Sequence, residues 1–238
     1  MPRSLRAGDR GPDVQALQQG LRKALRDKAV NNGKGVYGSL TVRDVAAFKR
    51  AWTSESDGHF AGALVWKHLE QYLGAGQRRL LRQAQALEVA RQHESKEQAL
   101  RGAIVAEAYW ALANNGLFVY RQYRPMPASL RVKEARDEVD CSTLVTLCYK
   151  AAGAIDPNGL GYNGQGYTGS QWGRGEAIAS PQPGDVAFYG NMGNGIPSHE
   201  ALVVDGGNVI SFGHTPISKY PLHYRASDYR GSRRYSVV

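Results

Sequence analysis

The chain has 238 residues, 42% of them hydrophobic and 21% charged, which is enough apolar surface for two modest domains or one large one and too much for a disordered chain. No apolar run approaches the roughly 20 residues that cross a bilayer, so no membrane insertion is expected; no apolar segment follows Met1-Pro2-Arg3-Ser4-Leu5-Arg6, so no signal peptide is expected either. The net charge of +9 is uneven: residues 1–75 carry 12 basic and 7 acidic side chains, residues 76–139 carry 11 and 7, and residues 140–238 carry 7 and 7. The excess suits a polyanionic partner for the front and middle of the chain.

The front reads as three short helices. Gly11 and Pro12 open the first, and Val14, Leu17, Leu21 and Leu25 mark one face of it. After a polar, glycine-rich loop, Thr41 and Asp44 are expected to cap a second helix, with Val45, Phe48 and Trp52 at helical spacing. Asp57-Gly58-His59 turns the chain into a third, with Leu64, Val65, Leu69 and Tyr72, and Gly74 stops it. Trp52 and Trp66 fall at core spacing, although indole rings also stack on sugars. The run Leu5-Arg6-Ala7-Gly8-Asp9-Arg10-Gly11-Pro12-Asp13-Val14, with Leu17-Gln18, Tyr37-Gly38, Thr41 and Asp57-Gly58, resembles the three-helix peptidoglycan-binding domain of wall hydrolases. An enlarged first loop, Asp27 to Lys34, departs from that pattern.

Gly74-Ala75-Gly76 is a short linker. Residues 77–115 are rich in Ala, Leu, Arg, Gln and Glu, and the polar stretch Gln92 to Glu97 is expected to split or bend this helical segment. Ile104, Ala108, Ala111 and Leu112 make a stronger face, and Asn114-Asn115-Gly116 ends it. Leu117 to Tyr123 reads as a strand or an aromatic loop, closed by Pro125-Met126-Pro127. The expected division is a three-helix domain at 1–74, a helical linker at 75–99 and a second domain at 100–238.

The chemistry concentrates after residue 139. Asp140 is suited to cap a helix carrying Leu144, Leu147, Cys148 and Ala151, which puts Cys141 in its first turn. Unpaired N–H groups there favour thiolate and an oxyanion, so Cys141 is the candidate nucleophile with its pKa expected to fall. Cys148, on the apolar face, is expected to be structural. Seven residues apart on one helix, the two sulphurs are too distant for a disulfide, so both should be free thiols. Residues 156–169 form a Gly/Tyr/Asn-rich loop, and Tyr162, Tyr167 and Trp172 are candidates to line a cleft. Val186 to Tyr189 and Ala201 to Val204 read as strands, with two weaker ones expected near 220–224 and 234–237. His199, at a strand start, is the candidate base. A two-residue turn at Gly206-Gly207 would pair His199 with His214, and a three-residue loop would put Ser211 on the face of His199.

Asp140-Cys141-Ser142, Pro183-Gly184-Asp185-Val186 and Ser198-His199 with Val203-Val204-Asp205-Gly206-Gly207 resemble the NlpC-type cysteine peptidases of peptidoglycan metabolism. The resemblance implies an α+β, papain-like domain: helices packed on an antiparallel sheet. It implies Cys141 and His199 as catalytic residues and a third residue that orients the base, with Ser211 at the matching position; His214 is preferred here because imidazole holds a tautomer firmly. It also implies Asp140, Ser142 and a tyrosine before the nucleophile, Tyr123, as substrate-binding residues. Joined to the front segment, the whole is similar to phage endolysins. It implies cleavage of a stem-peptide amide, beside D-glutamate, by a monomer that waits in the host cytoplasm until holin-dependent release to the wall.

No Cys/His cluster has metal-ligand spacing, so neither metal nor cofactor is expected. An N-acetylmuramoyl-L-alanine amidase is the rival enzyme, and a non-catalytic wall-binding phage structural protein the rival outside enzymes. Nucleic-acid binding is suggested by charge alone and has no recognition motif behind it.

Overall fold

The structure, a computed structural model, describes residues 2–26, 29, 31, 33–51, 57–131 and 137–238. The chain forms two compact units, Met1–Gln92 and His93–Val238. Trp52 and part of the first loop lie outside the described residues.

The first unit is built on α1 (Pro12–Leu25), α2 (Ser39–Lys49) and α3 (Ala63–Leu69). A two-residue antiparallel pair, β1 (Leu5–Arg6) with β2 (Phe60–Ala61), ties its ends together. Leu5, Val14, Leu17, Leu21, Val45, Trp66 and Leu69 fill one core. Trp66 is 3% exposed and its indole N–H donates to the Arg3 carbonyl, which settles it as a packing residue. Gly11 precedes α1 at φ 137°, a conformation that disfavours any side chain.

Thr41 and Asp44 do not cap α2, whose N-cap is Gly38. Both are buried and serve the loop instead. The Gln18 amide donates to Thr41 Oγ1 and the Val36 carbonyl and accepts from the Gly35 N–H; Asp44 accepts from the backbone and side chain of Asn31. Their spacing imitates a cap because a buried polar pair can occupy the same helical positions.

A single helix, α4, covers Ala75–Ala113. The expected split at Gln92 to Glu97 is absent: Gln, Glu, Lys and Arg all propagate helices well, and no proline interrupts them.

In the second unit, α5 (Cys141–Ala151) and the end of α4 cover one face of a six-stranded antiparallel sheet. Its strands are β5 (Glu176–Ile178), β6 (Val186–Tyr189), β7 (His199–Asp205), β8 (Asn208–Ser211), β9 (Ser218–Pro221) and β10 (Tyr229–Arg234), in the order β5-β10-β6-β7-β8-β9. Alternation sorts the strands. Val186, Phe188, Leu202, Val204 and Ile210 pack with Leu144, Leu147 and Cys148 under the helices. Ala187, Tyr189, Ala201, Val203 and Val209 pack on the other face with Tyr220, Tyr224 and Tyr229. A separate parallel pair, β3 (Phe118–Tyr120) with β4 (Asp137–Val139), leads into α5.

Asp185 anchors this unit. It is fully buried and accepts from Arg101 Nη1 (2.8 Å), Arg234 Nε (3.0 Å), Arg234 Nη2 (2.7 Å) and the Gln182 N–H. Gly184 beside it has φ +88°, and a Cβ there would sit 3.2 Å from Arg101 Cβ. The Gly184-Asp185 motif is thus an arginine-clamping turn. The loop after α5 is equally ordered by one carboxylate. Asp156 accepts from the N–H groups of Asn158, Leu160 and Tyr162, and Asn158 joins Thr146 to Ser170. That loop delivers a short helix, α6 (Thr168–Trp172), whose first two residues the sequence reads as loop because five residues show no periodicity.

Candidate active site

Cys141 is the first residue of α5. Asp140 caps it: Oδ1 accepts from the Thr143 N–H (2.8 Å) and from the Ser142 hydroxyl (2.9 Å). The other carboxylate oxygen takes Arg124 Nη1 at 3.0 Å. Arg124 also donates to Ser142 Oγ and to the Gly166 carbonyl. One guanidinium therefore fastens the capped helix start to the Asp156 loop. The predicted binding residues Asp140 and Ser142 spend their side chains on this fastening, and their outer surfaces still line the cleft.

The cleft has a volume of about 370 Å³, and Gln122, Arg124, Cys141, Tyr167, Thr168 and Ser198 are among its walls. A cavity of about 420 Å³ elsewhere on the same unit, beside Arg174 and Arg234, has neither a cysteine nor a histidine in its walls. Tyr167 lines the cleft as expected. Trp172 does not: its ring packs on Phe188 at 5.2 Å with Arg233 over its face at 4.0 Å, so its bulk is used for packing. Tyr123 is 55% exposed and is absent from the cleft walls.

The thiol is buried, 5% exposed, with Sγ 3.7 Å from Thr168 Oγ1. Burial, then the carboxyl groups of Glu200 and Asp140, push its pKa up to about 12; the Glu200 backbone N–H and the Thr168 hydroxyl pull the other way without prevailing. The expectation of a lowered pKa is corrected here. The helix start is present, but desolvation and two carboxyls outweigh it. The resting group is a thiol. Cys148 is buried and pushed up further by desolvation, and both cysteines are free.

His199 starts β7, between Ser198 in the cleft wall and Glu200, whose backbone N–H acts on the Cys141 sulphur. Its Nε2 is 2.7 Å from Ser211 Oγ, which is 3.3 Å from the Tyr224 hydroxyl. That leaves Nδ1 as the ring nitrogen outside the bond. Burial, then Arg225, lower its pKa to about 4, so the ring is neutral at pH 7.

His214 is exposed, and its Nδ1 lies 3.2 Å from the Thr215 carbonyl; the structure does not pair it with His199. The hairpin explains why. Asp205 pairs with Asn208 across Gly206-Gly207, as the two-residue turn requires, but a bulge between Val203 and Asp205 shifts the register so that Ala201 opposes Ser211. One extra residue in β7 moves every later pairing by one. Gly213 completes the fit, since a Cβ there would come within 3.2 Å of His199 Cε1.

Sequence reading missed Arg124, Thr168, Glu200 and Gly213. Only the order Ser198-His199-Glu200 held a visible signal, a charged residue entering an apolar strand.

Fold and site together define an α+β protein with a helix-terminal cysteine on a helix packed against the strand that carries a serine-tethered, neutral imidazole. No family model matches the chain. No curated protein matches it. Among solved structures it is similar to a Staphylococcus aureus protein described as similar to a lipoprotein of the NLP/P60 family; identity is 17%, the match covers 94% of this chain and 73% of that one, and the TM-score is 0.43. Among the described residues, no helix is long and apolar enough to cross a membrane, and no group of three or more His, Cys, Asp or Glu side chains is placed to hold a metal.

Proposed function

We propose that the protein hydrolyses an amide bond in peptidoglycan stem peptides, as an endolysin-like wall hydrolase whose front unit binds the wall. The observation that carries this reading is Cys141 at a capped helix start, in the wall of a cleft, next to the strand that presents His199 with Nε2 held by Ser211. The substrate class comes from the motifs around Cys141, Asp185 and His199 and from the front segment.

In this mechanism the substrate carbonyl enters the cleft and Cys141 attacks it. The thiol proton passes to Nδ1 of His199, and the new oxyanion lies against the Cys141 and Ser142 N–H groups, the first-turn donors that neither the helix nor the Asp140 cap takes. Imidazolium returns the proton to the leaving amine. Water, activated by the neutral ring, then releases the thioester. Ser211 keeps the ring oriented through both halves.

Digestion of diamino-acid-type peptidoglycan, followed by mass spectrometry, tests the reading. New fragments with a free amine on the diamino acid, absent with Cys141→Ala, are the expected result and mark cleavage after D-glutamate. Peptide-free glycan with free L-alanine amines would make the protein an amidase. No Cys141-dependent product on any wall type would reduce it to a binding protein.

The acid limb of activity follows from the neutral imidazole. The base form of His199 is the working form, and it predominates above its pKa. kcat/KM should therefore hold from neutrality downward and fall only as pH drops through about 4. A limb near the usual histidine value of about 6.5 would remove His199 as a buried base.

A further inference from the structure

Glu200 follows His199 in β7 and, by alternation, faces the helices with Leu202 and Val204. It is fully buried. Among the described residues, neither carboxyl oxygen has a hydrogen-bond partner. An ionised carboxylate left so is costly, and this position gains nothing in packing over the valine or leucine that its neighbours use.

Its surroundings are specific. Across β6 its register partner is Phe188. From α5 it faces Cys141, and its charge is also felt by the Tyr149 hydroxyl, which already donates to the Gly184 carbonyl. From the C-terminal segment comes Tyr235, whose hydroxyl donates to the Gln171 carbonyl. Asp140, at the cap, repels its charge, and Arg124 opposes that only in part. The remaining group is Thr168 on α6. Its hydroxyl is 3.7 Å from the Cys141 sulphur and near enough to Glu200 to favour the ionised carboxyl. Burial, then Asp140, nonetheless raise the pKa of Glu200 well above the usual carboxylate range, so it carries a proton.

We propose that Glu200 is a positioning residue that acts as an acid: its unpartnered O–H turns to donate to Thr168 Oγ1, a bond the resting structure leaves unmade, and the Thr168 O–H donates to the Cys141 sulphur. With Glu200 protonated, the sulphur has a hydroxyl donor and no second charge beside it, so thiolate can form during attack. When Glu200 ionises, the Thr168 hydroxyl turns to the carboxylate. The sulphur then loses its donor and gains a neighbouring negative charge. Glu200 keeps its proton throughout the reaction, and the thiol proton goes to His199. The inference rests on Cys141 as the nucleophile and does not depend on which amide is cut.

The test is the pH profile of Cys141 alkylation by iodoacetamide, read by mass spectrometry on the full chain. Wild type and Glu200→Gln should react alike near pH 6. As pH rises through the ionisation of Glu200, Glu200→Gln should gain about tenfold per pH unit while wild type flattens and lags at least tenfold, the equivalent of one pKa unit of coupling. Thr168→Val should slow alkylation at pH 7 about tenfold. Parallel profiles for wild type and Glu200→Gln, with wild type rising a full tenfold per unit, would overturn the relay. Cys148 monitors folding: if it becomes labelled in Glu200→Gln, the slope of wild type alone decides. Alkylation needs no wall substrate. A flattened profile without peptidoglycan cleavage would sink the proposed function and leave the relay standing, and cleavage with parallel profiles would do the reverse.

Discussion

Replacing His199 by alanine should lower kcat/KM on a stem-peptide substrate by about 10²–10⁴-fold, the range that a positioned general base supplies. The loss should fall on kcat, because the ring acts on a proton in flight and not on bound substrate. Ser211→Ala should cost less, about tenfold, since the Tyr189 ring and the close backbone of Gly213 still confine the imidazole. His214→Ala should be close to neutral, because its ring is exposed and bonded to its own backbone neighbour. Steady-state kinetics on the three variants separate the two register alternatives that the sequence leaves open. A His214 variant as damaged as the His199 variant, with Ser211→Ala unaffected, would place the working register elsewhere.

Asp185→Ala should destabilise the protein by about 3–5 kcal/mol. The carboxylate is fully buried and takes two arginines, and Arg101 is itself only 8% exposed. Removing the anion leaves Arg101 shielded from water with only the exposed-side Glu97 and the Tyr235 carbonyl. Against a typical folding free energy of about 5–15 kcal/mol, that is a large fraction. Arg234→Ala should cost only about 1 kcal/mol, because its side chain is 29% exposed and its loss leaves Asp185 still paired. Urea unfolding followed by circular dichroism reads both. A cost under about 1 kcal/mol for Asp185→Ala would mean that water reaches Arg101 readily and that the cluster is peripheral.

Local chemistry was legible where a side chain acts on its own neighbourhood. Asp140 capping the helix of Cys141 is a four-residue pattern, and so is the turn at Gly206-Gly207. The front helices follow from apolar spacing, and the long helix follows from composition, with the polar stretch misread as a break. What escaped depends on residues distant in sequence. The bulge in β7 has no signature in its own residues, so the choice between Ser211 and His214 could not be made from arithmetic. The raised pKa of Cys141 comes from Glu200 and from burial, 59 residues away in the first case. Trp172 looks the same in sequence whether it faces a cleft or packs on Phe188. The Thr41–Asp44 spacing shows that a capping pattern and a buried polar bracket can be written alike.

The bulge between Val203 and Asp205 has a consequence for how this hairpin tolerates change. Because it absorbs one residue, the tip and the ladder are separate variables. Loss of Val204 would leave a flush two-residue turn with Ala201 still opposite Ser211, whereas insertion of one residue in β8 would retain the turn and exchange the hydroxyl beside His199 for whatever residue moved into its place. The hairpin can thus lose one residue at the bulge without changing what faces His199, while single-residue changes on the return strand rewrite the partner of the imidazole.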